Sequence, residues 1–300
     1  MAELSMDKFT ESVVNAMGPN TSPRVREVMT SLIRHMHEFA REVQLTTPEY
    51  LAACDFVVRI GQISSDKRNE AILASDVLGL ESLVDFLDQH AARGATPAAT
   101  SEASEVTSSA ILGPFWRESA PLLPYGASII QGGPEGTPVL VQGRVLGADG
   151  KPLEGAMLNV WETAPNGLYE QQDPNQPDYN LRGRFLTDAE GRYAFRAWRP
   201  VAYPIPFDGP AGDLLQMMDR HPYRPSHFHF RVRAPGYQGL VTQVFDREDK
   251  YTDNDSVFAV KESLIIDFKP APEGMDVKYV VDYDIRLTPA KQAEERAAAE

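Results

Sequence analysis

The stretch Arg224-Pro225-Ser226-His227-Phe228-His229-Phe230-Arg231-Val232 sets aromatic and branched residues directly after a proline, the pattern of a β-strand. Side chains on a strand alternate faces, so His227 and His229 point one way and Phe228 and Phe230 the other. The two imidazoles, ~6–7 Å apart along the strand, can converge on one metal ion. The bland reading is a pair of histidines half-buried beside a core strand. His35-x-His37 serves as a control in the same chain. It lies in a helical stretch, where a spacing of two turns the rings ~200° apart. No site is expected there.

Around this strand the chain reads as mostly β. Segments 139–146, 156–161, 192–197, 240–245, 257–268 and 277–285 have strand character. Gly147-Ala148-Asp149-Gly150, Asp188-Ala189-Glu190-Gly191 and Ala234-Pro235-Gly236 supply turns between several of them. Short strands with hairpin turns and no helices between them predict an antiparallel β-sandwich. A Pro- and Gly-rich excursion over 200–225 interrupts them, and excursions of that length are usually functional or mobile.

The first ninety or so residues are different. Val25, Val28, Met29, Leu32, Ile33, Met36 and Phe39 recur at three- and four-residue steps, the stripe of one long helix. Thr47-Pro48 opens a second helix, 71–79 reads as a third, and 83–92 as a fourth. Small polar residues over 93–109 form a linker. The expected class is α+β: a helical dimerisation region and linker over 1–104, a β-sandwich over 105–288 and a flexible tail over 289–300. The apolar stripe either docks on the sandwich or pairs two copies of the chain.

Composition narrows the function. Forty-three acidic against 29 basic residues give a net charge of −14, which argues against nucleic acid or an anionic membrane as a main partner. The one cysteine, Cys54, excludes an intrachain disulfide and a Cys-rich metal site, and its helical apolar surroundings predict a core position. Met1-Ala-Glu-Leu-Ser shows no basic region followed by an apolar run, and no stretch approaches ~18 apolar residues. A cytoplasmic enzyme or binding protein is expected.

Two tyrosines stand beside the histidines as candidates. Tyr169 closes Trp161-Glu162-Thr163-Ala164-Pro165-Asn166-Gly167-Leu168-Tyr169, and Tyr203 lies in Pro200-Val201-Ala202-Tyr203. Taken alone, each reads as a packing residue. Together with Arg224-Pro-x-His227-x-His229, they resemble the intradiol ring-cleaving dioxygenases over nearly the whole chain. Tyr203-Pro-Ile-Pro-Phe-Asp-Gly209 and Gly113-Pro-Phe-Trp-Arg-Glu118 resemble the hydroxyquinol 1,2-dioxygenase branch.

That resemblance implies non-haem Fe(III) held by Tyr169, Tyr203, His227 and His229. It implies that Tyr203 leaves the metal and accepts a substrate proton while Tyr169 stays. Arg224 is implied to stabilise charge on the substrate ring, with Gln243 beside it. The pocket residues it nominates are Leu78, Gly113, Pro114, Phe115, Ile205, Pro206 and Val257, and Glu81 is a candidate partner for a third substrate hydroxyl. The implied reaction takes hydroxyquinol (1,2,4-trihydroxybenzene) and O₂ to 3-hydroxy-cis,cis-muconate and maleylacetate; catechol or chlorocatechol is the alternative substrate. The resemblance also implies a homodimer formed through the N-terminal helices, with a lipid bound there. A different class remains as a rival, since 141–155 and 187–195 are similar to transthyretin-like binding modules. Such a module needs no Tyr/Tyr/His/His set.

Overall fold

Ser22 caps the longest helix, its side chain accepting from the Val25 N–H, and Pro23 takes the first helical position, where its missing N–H costs nothing. In this computed structural model, which describes residues 6–94 and 106–290, the chain forms two compact units divided between Arg59 and Ile60. Most of the linker and the tail from 291 onward lie outside the described residues. The first unit holds α1 (Met6–Asn15), α2 (Pro23–Glu42) and most of α3 (Thr47–Ile63). His37 stacks on Phe9 of α1 with ring centroids 5.7 Å apart, whereas His35 meets Glu38 at 3.4 Å. The two rings engage different neighbours, as the helical spacing predicts.

No residue of α2 is buried. Its stripe of Val25, Val28, Met29, Leu32, Met36 and Phe39 stays between 38% and 60% exposed among the described residues. Cys54, expected in a core, is exposed. The apolar residues of α3 spread around the helix, and Tyr50, Leu51, Val57 and Val58 are exposed as well.

The second unit adds α4 (Glu70–Val77) and α5 (Leu80–Gly94), then β1 (Pro138–Gly147), β2 (Met157–Trp161), β3 (Arg182–Leu186) and β4 (Arg192–Trp198). The excursion after β4 is partly regular: β5 (Tyr203–Pro204), α6 (Pro210–Met217) and β6 (Tyr223–Arg224). The chain finishes with β7 (His227–Arg233), β8 (Leu240–Asp246), β9 (Ile265–Ile266), β10 (Lys269–Pro270), β11 (Tyr279–Asp282) and β12 (Ile285–Leu287). One sheet runs β3-β2-β7-β8-β9; the other centres on β1, flanked by β4, β11 and β12. Between them lies a core that includes Phe228, Phe230 and Val232 from β7, Phe195 from β4 and Val141 from β1.

Most pairs are antiparallel, but β11 and β12 both run parallel to β1, and β9 runs parallel to β8. Between β11 and β12 the Tyr283 carbonyl presses onto Gly143 of β1 where any Cβ would clash. Glycine is the residue that lets this edge bulge. The strand expected over 257–268 shrinks to the two residues of β9. The Asp255 carboxylate draws in the N–H groups of Val257 and Ala259, and Phe258 sits at φ 59°, outside the β region.

Candidate metal centre and active site

The alternation on β7 sends Phe228 and Phe230 into the core and leaves His227 and His229 on the sheet's outer face. That face is covered by the segment around Gly113–Trp116 and by the excursion carrying β5 and β6. Tyr203, on β5, lies directly opposite Arg224 of β6. Tyr169 follows a tight turn in which the Gly167 N–H donates to the Ala164 carbonyl at 2.8 Å. Gly167 has φ 79°, and a Cβ there would stand 3.2 Å from the Tyr203 Cβ, so glycine seats the two tyrosines side by side.

All four side chains are at most 5% exposed and their polar atoms converge. Tyr169 Oη lies 3.1 Å from His229 Nε2 and 3.3 Å from Tyr203 Oη. His227 Nε2 lies 3.1 Å from His229 Nε2. Donors ~2.0–2.2 Å from a common ion, set ~90–110° apart, stand about 3 Å from each other, so the spacing fits one metal ion. His227 donates its Nδ1–H to the Pro225 carbonyl at 2.7 Å, which leaves the Nε2 lone pair facing the cluster. The His229 ring stacks on Trp161 at 4.6 Å, and Tyr169 stacks on Phe115 at 4.5 Å.

Electrostatics point the same way. Burial, reinforced by Arg224, pushes the pKa of His227 well down; burial and then His227 do the same for His229, so both stay as the neutral rings that ligate metals. Burial, then Tyr203, pushes the Tyr169 phenol well up. A cation among these groups reverses that pressure by favouring phenolate. Anionic oxygen with imidazole suits ferric iron. Among the described residues no group of three or more His, Cys, Asp or Glu offers a rival metal site.

Arg224 is buried at the cluster's edge. Its Nε and Nη2 donate to the two Asp255 oxygens at 3.1 and 3.2 Å, its Nη2 also donates to Gln243 Oε1 at 2.6 Å, and its Nη1 lies 3.1 Å from His227 Nε2. Burial works against the charged guanidinium, but Asp255 outweighs it and the pKa is raised overall. Gln243, opposite His229 on β8, donates in turn to the Ile111 carbonyl at 2.7 Å. Arg224 and Gln243 are thus brought together, and Asp255 joins them. No local pattern marks Asp255, which lies 31 residues from its partner in a polar turn.

A cavity opens onto this cluster. Gly113, Pro114, Phe115, Ile205, Pro206 and Val257 line it, with Leu73, Asp76 and Ile111. Leu78 and Glu81 do not. Helical phase explains Leu78: it sits two residues, ~200°, beyond Asp76 and is 62% exposed. Glu81 instead accepts the Leu112 N–H at 3.1 Å and holds the covering segment in place. The polar wall of the cavity is Asp76, which is buried, with an Oδ1 that has no hydrogen-bond partner. Burial first, and Glu81 next, push its pKa up to about 10, so it is a carboxylic acid at neutral pH.

Fold and site together define an oxygenase of the intradiol type, and similarity to known proteins agrees. Residues 111–289 match the family described as Dioxygenase, and 22–96 match the Catechol dioxygenase N terminus. The chain belongs to the intradiol ring-cleaving dioxygenases, enzymes that use non-haem iron. It is 50% identical to a catechol 1,2-dioxygenase of Candida albicans, over 97% of this chain and 95% of that one. It is 44% identical to a hydroxyquinol 1,2-dioxygenase of Rhizobium sp., over 88% of this chain and 85% of that one. The crystal structure of hydroxyquinol 1,2-dioxygenase from Pseudomonas putida DLL-E4 superposes with a TM-score of 0.81 at 38% identity, covering 95% of this chain and 99% of that one. No helix among the described residues is long and apolar enough to cross a membrane.

Proposed function

We propose that this enzyme opens hydroxyquinol with O₂ between its adjacent hydroxyls, using Fe(III) held by Tyr169, Tyr203, His227 and His229. Asp76 carries the choice of substrate. It is a buried, protonated carboxyl on the cavity wall with an unpartnered oxygen. A third ring hydroxyl gives it a partner, whereas catechol leaves it unpaired. Held by these four residues, ferric iron would supply the electron withdrawal that makes a diol ring carbon reactive toward O₂. Tyr203 Oη takes a proton from a substrate hydroxyl. Arg224 sets a fixed positive charge at the cavity edge, and Asp255 and Gln243 hold its plane, so negative charge developing on the ring meets a preorganised cation. Phe115, Ile205 and Pro206 exclude water from the ring.

Catechol is the second reading, favoured by the Candida albicans relative. A turnover panel of hydroxyquinol, catechol and 4-chlorocatechol decides between them. A higher kcat/KM on catechol overturns the first reading. The bare stripe on α2 pairs two copies of the chain in this proposal, with a lipid between the helices.

A further inference from the structure

The outer row of β7 continues beyond the histidines: His227, His229, Arg231, Arg233. Register sets Arg184 of β3, Asn159 of β2 and Arg231 in one line across the sheet, with Met157 opposite Arg233. Together with Trp116 and Glu118 they line a groove. The Arg231 guanidinium lies over the Trp116 ring, 4.2 Å from its centroid. Trp116 directly follows Phe115, whose ring stacks on Tyr169. The groove therefore begins one strand step, ~7 Å, from His229.

Its charges are unusual for this chain. With acidic residues in excess, Arg196, Arg199 and Arg247 each find a carboxylate elsewhere on the sandwich. Among the described residues, the Arg231 and Arg233 guanidinium groups make neither an ion pair nor a hydrogen bond. Arg184 spends only its Nε, on the Ala120 carbonyl. Glu118 is the groove's one acid; it is exposed and acts on Arg231 only as a nearby charge. The Trp116 indole N–H is buried without a partner. The groove presents donors and positive charge and lacks the anion to match.

We propose that this groove binds the ring-opened dicarboxylate product beside the active site. The ligand class rests on the proposed reaction. Ring opening breaks the bond between the two hydroxyl-bearing carbons, and each receives one atom of O₂. The diol thereby becomes two carboxylic acids, both ionised at neutral pH. A neutral diol gains nothing from three arginines, whereas a dianion leaving the cavity gains paired, forked donors on each side.

The test uses iron-loaded, full-length protein and cis,cis-muconate as the probe. Its affinity is read by tryptophan fluorescence and, separately, as inhibition of initial turnover at low ionic strength. In Arg231→Gln/Arg233→Gln we expect muconate affinity at least tenfold weaker, a smaller loss in Arg233→Gln alone, and partial recovery in Arg231→Lys. Arg233 is exposed, so its single variant keeps the test informative if the double variant folds poorly. Benzoate and inorganic phosphate should bind more weakly than muconate, and added salt should weaken muconate binding. Unchanged affinity in the double variant overturns the proposal by placing the dicarboxylate elsewhere. Phosphate binding as tight as muconate overturns it in favour of a general anion patch. Failure to form a ring-opened product from any 1,2-diol defeats instead the functional reading and, with it, the choice of ligand.

Discussion

Replacing Asp76 by alanine removes the unpartnered carboxyl oxygen from the cavity wall while leaving Arg224 and its partners in place. A buried hydroxyl without a partner costs ~1–3 kcal/mol, so kcat/KM for hydroxyquinol should fall roughly 5- to 150-fold. Catechol should lose little or improve, because its complex no longer strands the carboxyl. The ratio of the two kcat/KM values, measured side by side in both proteins, therefore moves by one to two powers of ten. Asp76→Asn keeps an N–H donor and should fall between wild type and alanine. A pH arm adds an independent check. The folded pKa of Asp76, about 10, lies above its unfolded value of ~3.9, so between these the native state binds the extra proton. Its contribution to stability is thus fully present below the unfolded pKa and is lost as pH rises toward the folded one, at up to ~1.4 kcal/mol per pH unit. Asp76→Asn should flatten that part of the stability profile, read from denaturant midpoints between pH 5 and 9. An unchanged substrate ratio in Asp76→Ala refutes the reasoning about specificity.

The purified protein should be red from tyrosinate-to-iron charge transfer, with about one iron per chain by metal analysis; a colourless, active zinc protein contradicts the ligand set. His227→Ala or His229→Ala should lose iron, because among the described residues no neighbouring His, Cys, Asp or Glu cluster stands ready to replace either ring. Tyr203→Phe should keep part of its iron and visible band yet lose most turnover, and normal turnover removes its role as proton acceptor. Light scattering should show a homodimer at micromolar concentration and a monomer for Met36→Glu/Phe39→Glu. Mass spectrometry of an organic extract should recover lipid from the wild-type dimer.

Strand β7 was legible because its information is local: a proline, then alternating polar and aromatic residues, which fixes both the strand and its two faces. The four converging side chains were legible through their order and spacing, which match a known family. Asp255 was not, because its meaning lies in a pairing with Arg224 across 31 residues. Asp76 was missed for a related reason. An acid inside an apolar helical run reads as a surface residue until the fold shows it 1% exposed. The misplacement of Leu78 is a phase error on one helical turn, since the pocket-facing positions of α4 are Leu73 and Asp76. Cys54 shows the converse limit: apolar periodicity marks a face to be covered, not whether the same chain covers it.

The division of labour on β7 explains why so short a segment holds so much of the function. Its inner residues, Phe228, Phe230 and Val232, are fully buried against the opposite sheet and fix the strand's position and register. Its outer residues are then free of any packing duty in the sandwich. They lie in a row at the strand's own repeat, with the two imidazoles at the covered end and the two arginines at the open end. A one-residue slip would exchange the rows, placing histidine and arginine in the core and phenylalanine on the outer face. The aromatic core therefore does more than stabilise the sandwich. It specifies which side of the strand meets Tyr169 and Tyr203, and it sets the distance between the cluster and the arginine groove.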